Sequence, residues 1–269
     1  MRRALAVITL DALCFIVLLS VSGALGGVLS KLVYYLAFFL PAIIIFAVKR
    51  RTGLLFHALK PLPDKRKAVL FVPTVCPVII LVFAVSYLTS LLLTGIGAEQ
   101  PSKDLSGNVF TVLFTHALLP AILEELLFRY AFLGILLPYS KRGAIIFSAA
   151  FFAFAHCNLF QLPYAFIAGL LFAFIDVFAE SILPSVLLHF VNNMLSIFWV
   201  RQSQNLEFKT VFLIMLGVAG LISAVVLFIF RHHYKDSGLE IVREKRKITP
   251  SAEVIVFFII AFLLSLAVI

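Results

Sequence analysis

The chain has 269 residues, of which 63% are hydrophobic and 13% charged, and its mean hydropathy is +1.13. A soluble domain carries roughly 25% charged and about 45–50% apolar residues, so a soluble globular protein and an intrinsically disordered one are both excluded. The formal charge of +9, from 22 basic and 13 acidic residues, reads in such a chain as a topology signal rather than as a nucleic-acid footprint.

A spanning helix needs about 20 mostly apolar residues. Candidate spans fall at 4–23, 28–48, 68–94, 108–136, 143–161, 163–179, 182–200, 209–230 and 252–269. The first follows Arg2-Arg3 and precedes Ser22-Gly23-Ala24, which has the look of a signal peptide. Asp11 interrupts it and many spans follow, so an uncleaved first helix is expected. The fourth is long, and Pro120 and Gly134 are expected to bend or break it. Only Leu162-Pro163 separates the fifth from the sixth. Cys14, Cys76 and Cys157 follow no metal spacing and form no disulfide framework. With no repeat and no domain boundary, residues 1–269 read as a single membrane domain. It is all-α, a polytopic transmembrane helical bundle of about eight or nine spans, with a catalytic core at about 108–200.

The basic residues sort by side. Arg2 and Arg3, then Lys49, Arg50, Arg51, Lys60, Lys65, Arg66 and Lys67, then Lys141 and Arg142, then Arg231, Lys235, Arg243, Lys245, Arg246 and Lys247 share one side if the spans alternate. The other side holds Lys103, Arg201 and Lys209. This asymmetry predicts a multi-pass integral membrane protein with a cytoplasmic N-terminus, its basic loops also able to touch anionic membrane lipid.

Ionisable side chains within spans are costly, and each is a functional hypothesis. Glu124-Glu125-Leu126-Leu127-Phe128-Arg129 is the densest group. Glu125 and Arg129 are four apart and can pair on one helical face. Glu124 is rotated about 100° away and is left for another purpose. A second feature is Phe152-Ala153-Phe154-Ala155-His156, and a third is His189-Phe190-Val191-Asn192-Asn193. His189 and Asn193 project from one face, and either Asn can supply an amide if the helix is rotated. A carboxylate, two imidazoles and an amide suit a water-activating hydrolytic site. Glu124, His156 and His189 also make an acceptable zinc set with an open position, although the H-E-x-x-H spacing is absent. No serine turn of the G-x-S-x-G kind and no Gly-Asp pair within a span is present. Cys157 beside His156 diverges from it on a helix and is not a nucleophile pair.

At these residues the sequence resembles the CPBP family of intramembrane proteases, which covers CAAX proteases and bacteriocin-processing enzymes and is also called the abortive-infection domain. The family motifs E-E-x-x-x-R, F-x-x-x-H and H-x-x-x-N stand here in order as Glu124-Glu125 to Arg129, Phe152 to His156, and His189 to Asn193. The resemblance covers about 108–200. It implies that Glu124 is the general base, His156 its partner in activating water, and His189 with Asn193 the oxyanion-stabilising pair. It implies further that Arg129 orders the glutamates through Glu125, and that Phe152 walls the cavity. The family is argued both as metalloprotease and as metal-independent glutamate protease. A hard Glu with Asn and two His favours the second, leaving no certain cofactor and zinc as the alternative.

The expected function is therefore endopeptidase action inside the membrane, on a peptide or protein substrate with or without a lipid group. A non-catalytic scaffold or immunity protein is the alternative, followed by a proton-coupled transporter. The latter is disfavoured because no inverted repeat is visible. A partner made of nucleic acid is not expected. Several residues stay outside this reading. His116 lies two turns before Glu124 and is either a packing or a cavity residue. Asp176 and Glu180 are expected to be exposed or snorkelling near a cytoplasmic end. Asp11 and Lys31 can pair between the first two helices, and His232-His233 are loop residues.

Overall fold

The computed structural model describes residues 2–100, 105–202, 204–229, 231 and 248–266. Each apolar run of the sequence appears as a helix. α1 (Arg2–Ala24) and α2 (Gly27–Thr52) form an antiparallel hairpin. Its turn is tied by reciprocal bonds, Ser22 Oγ–H to Ser30 O and Ser30 Oγ–H to Ser22 O, both 2.8 Å. Gly53 ends α2 in the left-handed region, φ 63°, where a residue without Cβ is at ease. α3 (Lys65–Phe71) passes through a 3₁₀ turn at Val72–Thr74 into α4 (Val75–Gly95).

The fourth run is neither straight nor broken. α5 (Val109–Leu113) leads into a π-helical turn at Phe114–Leu118, then α6 (Leu119–Glu125), a second π segment at Leu126–Leu133, and α7 (Gly134–Leu136). Pro120 lacks an N–H and crowds the carbonyl four residues back, and the wide turn before it absorbs that defect. Gly134, expected as a breaker, is instead a docking point. Its carbonyl accepts His57 N–H at 2.8 Å, and a Cβ there would lie 2.8 Å from the Phe56 ring.

α8 (Lys141–Ala155), α9 (Leu162–Ala179), α10 (Leu183–Arg201), α11 (Leu206–Ile229) and α12 (Ala252–Leu266) follow. Here the structure corrects the fifth run, which ends at Ala155 rather than at 161. Its 15 residues span only about 22 Å, less than the roughly 30 Å hydrocarbon core. The Asn158 carboxamide oxygen accepts Phe160 N–H at 2.9 Å, and Cys157 has φ 45°. The chain therefore turns back into α9 within the bundle. Among the described residues seven helices are long and apolar enough to cross a membrane, and α12 is a shorter apolar one.

α10 packs on α6, on α9 and on the π turn at Phe114–Leu118, while α8 lies along α9. Close approach of α8 and α9 occurs where Gly169 faces the backbone of Ala149. α12 covers α1 and α8, and α11 leans on α4 with Ser223 its sole buried side chain among those described. Long apolar side chains line the remaining faces of α4 and α11, as lipid contact requires.

One end of the bundle collects the basic residues. The 53–64 connection crosses it and bonds to the turn between α9 and α10, with Lys60 N–H to Glu180 O at 2.9 Å and Ile182 N–H to Lys60 O at 3.0 Å. Gly143, beside Lys141 and Arg142, meets Ile248 at this same end. The opposite end is tied by Arg201, which donates to Leu105 O and Gly107 O, both from Nη2 at 2.7 Å. Lys103, Lys235, Arg243, Lys245, Arg246, Lys247 and His232-His233 lie outside the described residues, as does the Lys31 side chain.

Candidate active site

The three motif helices converge. Glu124 and Glu125 close α6, Arg129 follows in the second π segment, His156 caps α8, and His189 projects from α10.

Glu125 and Arg129 are fully buried, with Oε2 and Nε 3.0 Å apart. The pair predicted from the spacing is therefore present, and it has a further member that the spacing does not reveal. Glu125 Oε1 is 2.8 Å from His189 Nδ1. A carboxylate accepts, so Nδ1 carries hydrogen and donates it. His156 is held in a similar way, with Nδ1 2.8 Å from Phe152 O. A backbone carbonyl can only accept, so this ring also has hydrogen on Nδ1. When neutral, it offers Nε2 as an acceptor.

Both Nε2 atoms point to one oxygen. Glu124 Oε2 is 3.8 Å from Nε2 of His156 and 3.8 Å from Nε2 of His189. That oxygen is buried and has no hydrogen-bond partner among the described residues. A separation of 3.8 Å is too long for a direct hydrogen bond and short enough for one water to touch Oε2 and Nε2 together. The Phe152 ring sets the wall. It stands 4.6 Å from the Arg129 guanidinium carbon and edge-to-face with His156 and His189, at 4.9 and 5.7 Å. Tyr34 from α2 and Tyr164 from α9 lie within electrostatic reach of Glu124. Neither belongs to a motif, and no sequence signal marks them.

Histidines with Nδ1–H anchored and Nε2 directed inward also suit a metal site. Yet among the described residues no group of three His, Cys, Asp or Glu side chains is placed to hold a metal ion.

The amides and outlying acids are distributed differently from expectation. Asn193 is half-buried, whereas Asn192 is buried and its Oδ1 has no partner among the described residues. His116 is exposed and bonded to Thr115 Oγ1 at 2.8 Å, not a cavity residue. Asp176 was expected at the surface and is fully buried. Its Oδ1 accepts Ser185 N–H at 3.0 Å. Glu180 is exposed as expected, and Lys67 Nζ lies 2.9 Å from its carboxylate. Its backbone is left-handed, φ 54°, so it leaves the α9 face that carries Asp176, and the like-charge clash implied by a spacing of four does not arise. Asp11 is buried with Oδ2 unpaired among the described residues.

Comparison with curated proteins and with solved structures found no match. Residues 106–195, which hold every motif residue from Glu124 to Asn193, match a known family model. The family it describes is that of type II CAAX prenyl endopeptidases, Rce1-like, and it is to this family that the site-bearing segment of this multi-pass membrane protein is similar.

Proposed function

We propose that the chain is an intramembrane endopeptidase that hydrolyses a peptide bond near the terminus of a membrane-associated or prenylated protein or peptide. The observation that carries this reading is Glu124 Oε2, which has no hydrogen-bond partner among the described residues and is set 3.8 Å from the inward nitrogens of His156 and His189. Glu124 takes a proton from water while His156 Nε2 accepts the other water hydrogen bond. The water oxygen attacks the peptide carbonyl carbon. His189, when it carries both protons, and the Asn193 amide donate to the oxyanion that develops. Collapse expels the amine, which takes its proton from Glu124.

Arg129 neutralises Glu125, and Glu125 holds His189 by Nδ1. The reaction then needs no metal, because a carboxylate and an imidazole already supply the base. The N-terminus is read as cytoplasmic, supported by the gathering of basic residues at one end of the bundle.

The test is proteolysis by the full chain in liposomes, with peptides bearing or lacking a C-terminal prenyl group, comparing wild type with Glu124→Gln. Cleavage that disappears in the variant supports the reading, and the preferred peptide names the substrate class. Equal cleavage by a folded Glu124→Gln protein overturns it.

A further inference from the structure

α9 brings to the site a ring that no motif contains. Phe172 is buried. Its ring centroid lies 6.0 Å from the Arg129 guanidinium carbon and 5.9 Å from the centroid of the His189 ring, tilted 38° to it. Phe152 of α8 stands against the same two groups, at 4.6 and 5.7 Å. The two rings are placed by one contact between their helices. Gly169 meets the backbone of Ala149, and Phe172 and Phe152 each follow three residues on, along the same face of their helix. α8 and α9 form an antiparallel hairpin, so the rings lie on either side of that contact along the pair. Arg129 is fully enclosed, with Nε 3.0 Å from Glu125 Oε2. Its Nη1 and Nη2 have no hydrogen-bond partner among the described residues. A guanidinium keeps its charge in proteins, and a buried charge needs compensation. The negative faces of aromatic rings supply it without a hydrogen bond.

Resting on the peptidase reading above, we propose that Phe172 is a positioning residue: with Phe152 it forms an aromatic clamp that holds the Arg129 cation by ring faces and fixes the His189 ring where its Nε2 meets Glu124. Held in this way, Arg129 takes one oxygen of Glu125, at 3.0 Å, and the other stays with His189 Nδ1, at 2.8 Å. Phe172 is closed to solvent. It therefore acts on the reacting atoms through His189 and does not touch the substrate.

The variant Phe172→Leu keeps an apolar side chain and removes the π face. With the full chain in liposomes and a peptide that wild type cleaves, the expected result is a kcat about tenfold lower at unchanged KM. Wild-type kcat in folded Phe172→Leu overturns the proposal. So does a raised KM at wild-type kcat, which would set the ring against the substrate. Glu124→Gln in the same preparation keeps the two ideas apart. Hydrolysis retained there refutes the peptidase reading itself, whereas hydrolysis lost there with Phe172→Leu unaltered refutes only the positioning role.

A second measurement needs no substrate. Mono-, di- and trifluorophenylalanine at position 172 nearly keep the shape of the ring and progressively drain its negative face. Thermal midpoints should fall with each added fluorine in the otherwise wild-type chain. The series should flatten when Glu125→Gln and Arg129→Met together remove the cation and leave no stranded charge. Equal midpoints along the series, or the same slope with and without Arg129, overturn the clamp and leave Phe172 as packing alone. If Phe172→Leu does not accumulate, the fluorinated series decides by itself.

Discussion

Replacing Arg129 by Met removes the cation from a carboxylate that has no access to water. Glu125 and Arg129 are both fully enclosed at 3.0 Å. At an effective dielectric near 20 that separation corresponds to a Coulomb attraction of about 5–6 kcal/mol, set against a desolvation cost of several kcal/mol per ion. The pair as a whole is thus near balance, but breaking it is not. Arg129→Met keeps the packing beneath Phe152 and strands the Glu125 charge, at a cost of about 3–5 kcal/mol. His189, bonded to Glu125 Oε1 at 2.8 Å, remains beside it to offset part of that cost. In a chain of this size that cost lowers the thermal midpoint by about 6–15 °C. The assay is thermal unfolding in detergent of wild type, Arg129→Met, Glu125→Gln and the double variant. The double variant, with no stranded charge, should unfold at a higher temperature than Arg129→Met. A midpoint for Arg129→Met within about 1 °C of wild type would show that Glu125 is not held as a buried carboxylate, and the electrostatic account of the site would fail.

Other consequences are open to measurement. Gly169→Ala would set a methyl 3.0 Å from Ala149 Cα, a backbone atom, so α8 and α9 must part at a cost of about 1–3 kcal/mol; an unchanged midpoint would contradict that contact. The Lys67 ammonium beside Glu180 holds its carboxyl below the usual carboxylate range. The unfolded value is higher, so this contribution is complete above the ordinary carboxylate pKa and is lost as pH falls through the lowered one. With Glu180 52% exposed, screening leaves less than about 1 kcal/mol. Glu180→Gln should therefore trail wild type slightly at pH 7 and match it once Glu180 is protonated, and a gap that widens in acid would reverse the sign of this argument. Finally, incubation with a chelator should leave peptide cleavage unaltered. Loss of activity that returns with added zinc would replace the glutamate mechanism with a metal-dependent one.

How much of this was legible in the chain varies from residue to residue. The apolar runs were sufficient for the helices, because lipid forces each backbone polar group to be satisfied within its own segment. The spacing of Glu125 and Arg129 was sufficient for their pair, since four residues on a helix is a local distance. The end of α8 was not legible. Residues 156–161 are still partly apolar, and their turn depends on Asn158 and on a left-handed Cys157. Nor was the burial of Asp176, which only acquires its partner when the first turn of α10 arrives from nine residues away. The choice between Asn192 and Asn193 for the interior is likewise a matter of how α10 is rotated against α6 and α9.

Composition and periodicity thus determined on their own that this is a helical membrane protein with a motif-bearing segment near its centre. Both signals are local, written in transfer free energy and in the 3.6-residue turn. Only the tertiary structure decided that Glu124 stands between two imidazoles, while Glu125, Arg129 and Asp176 are fully buried. Which charge is stranded and which is satisfied depends on distances between helices, and no spacing along one chain encodes these.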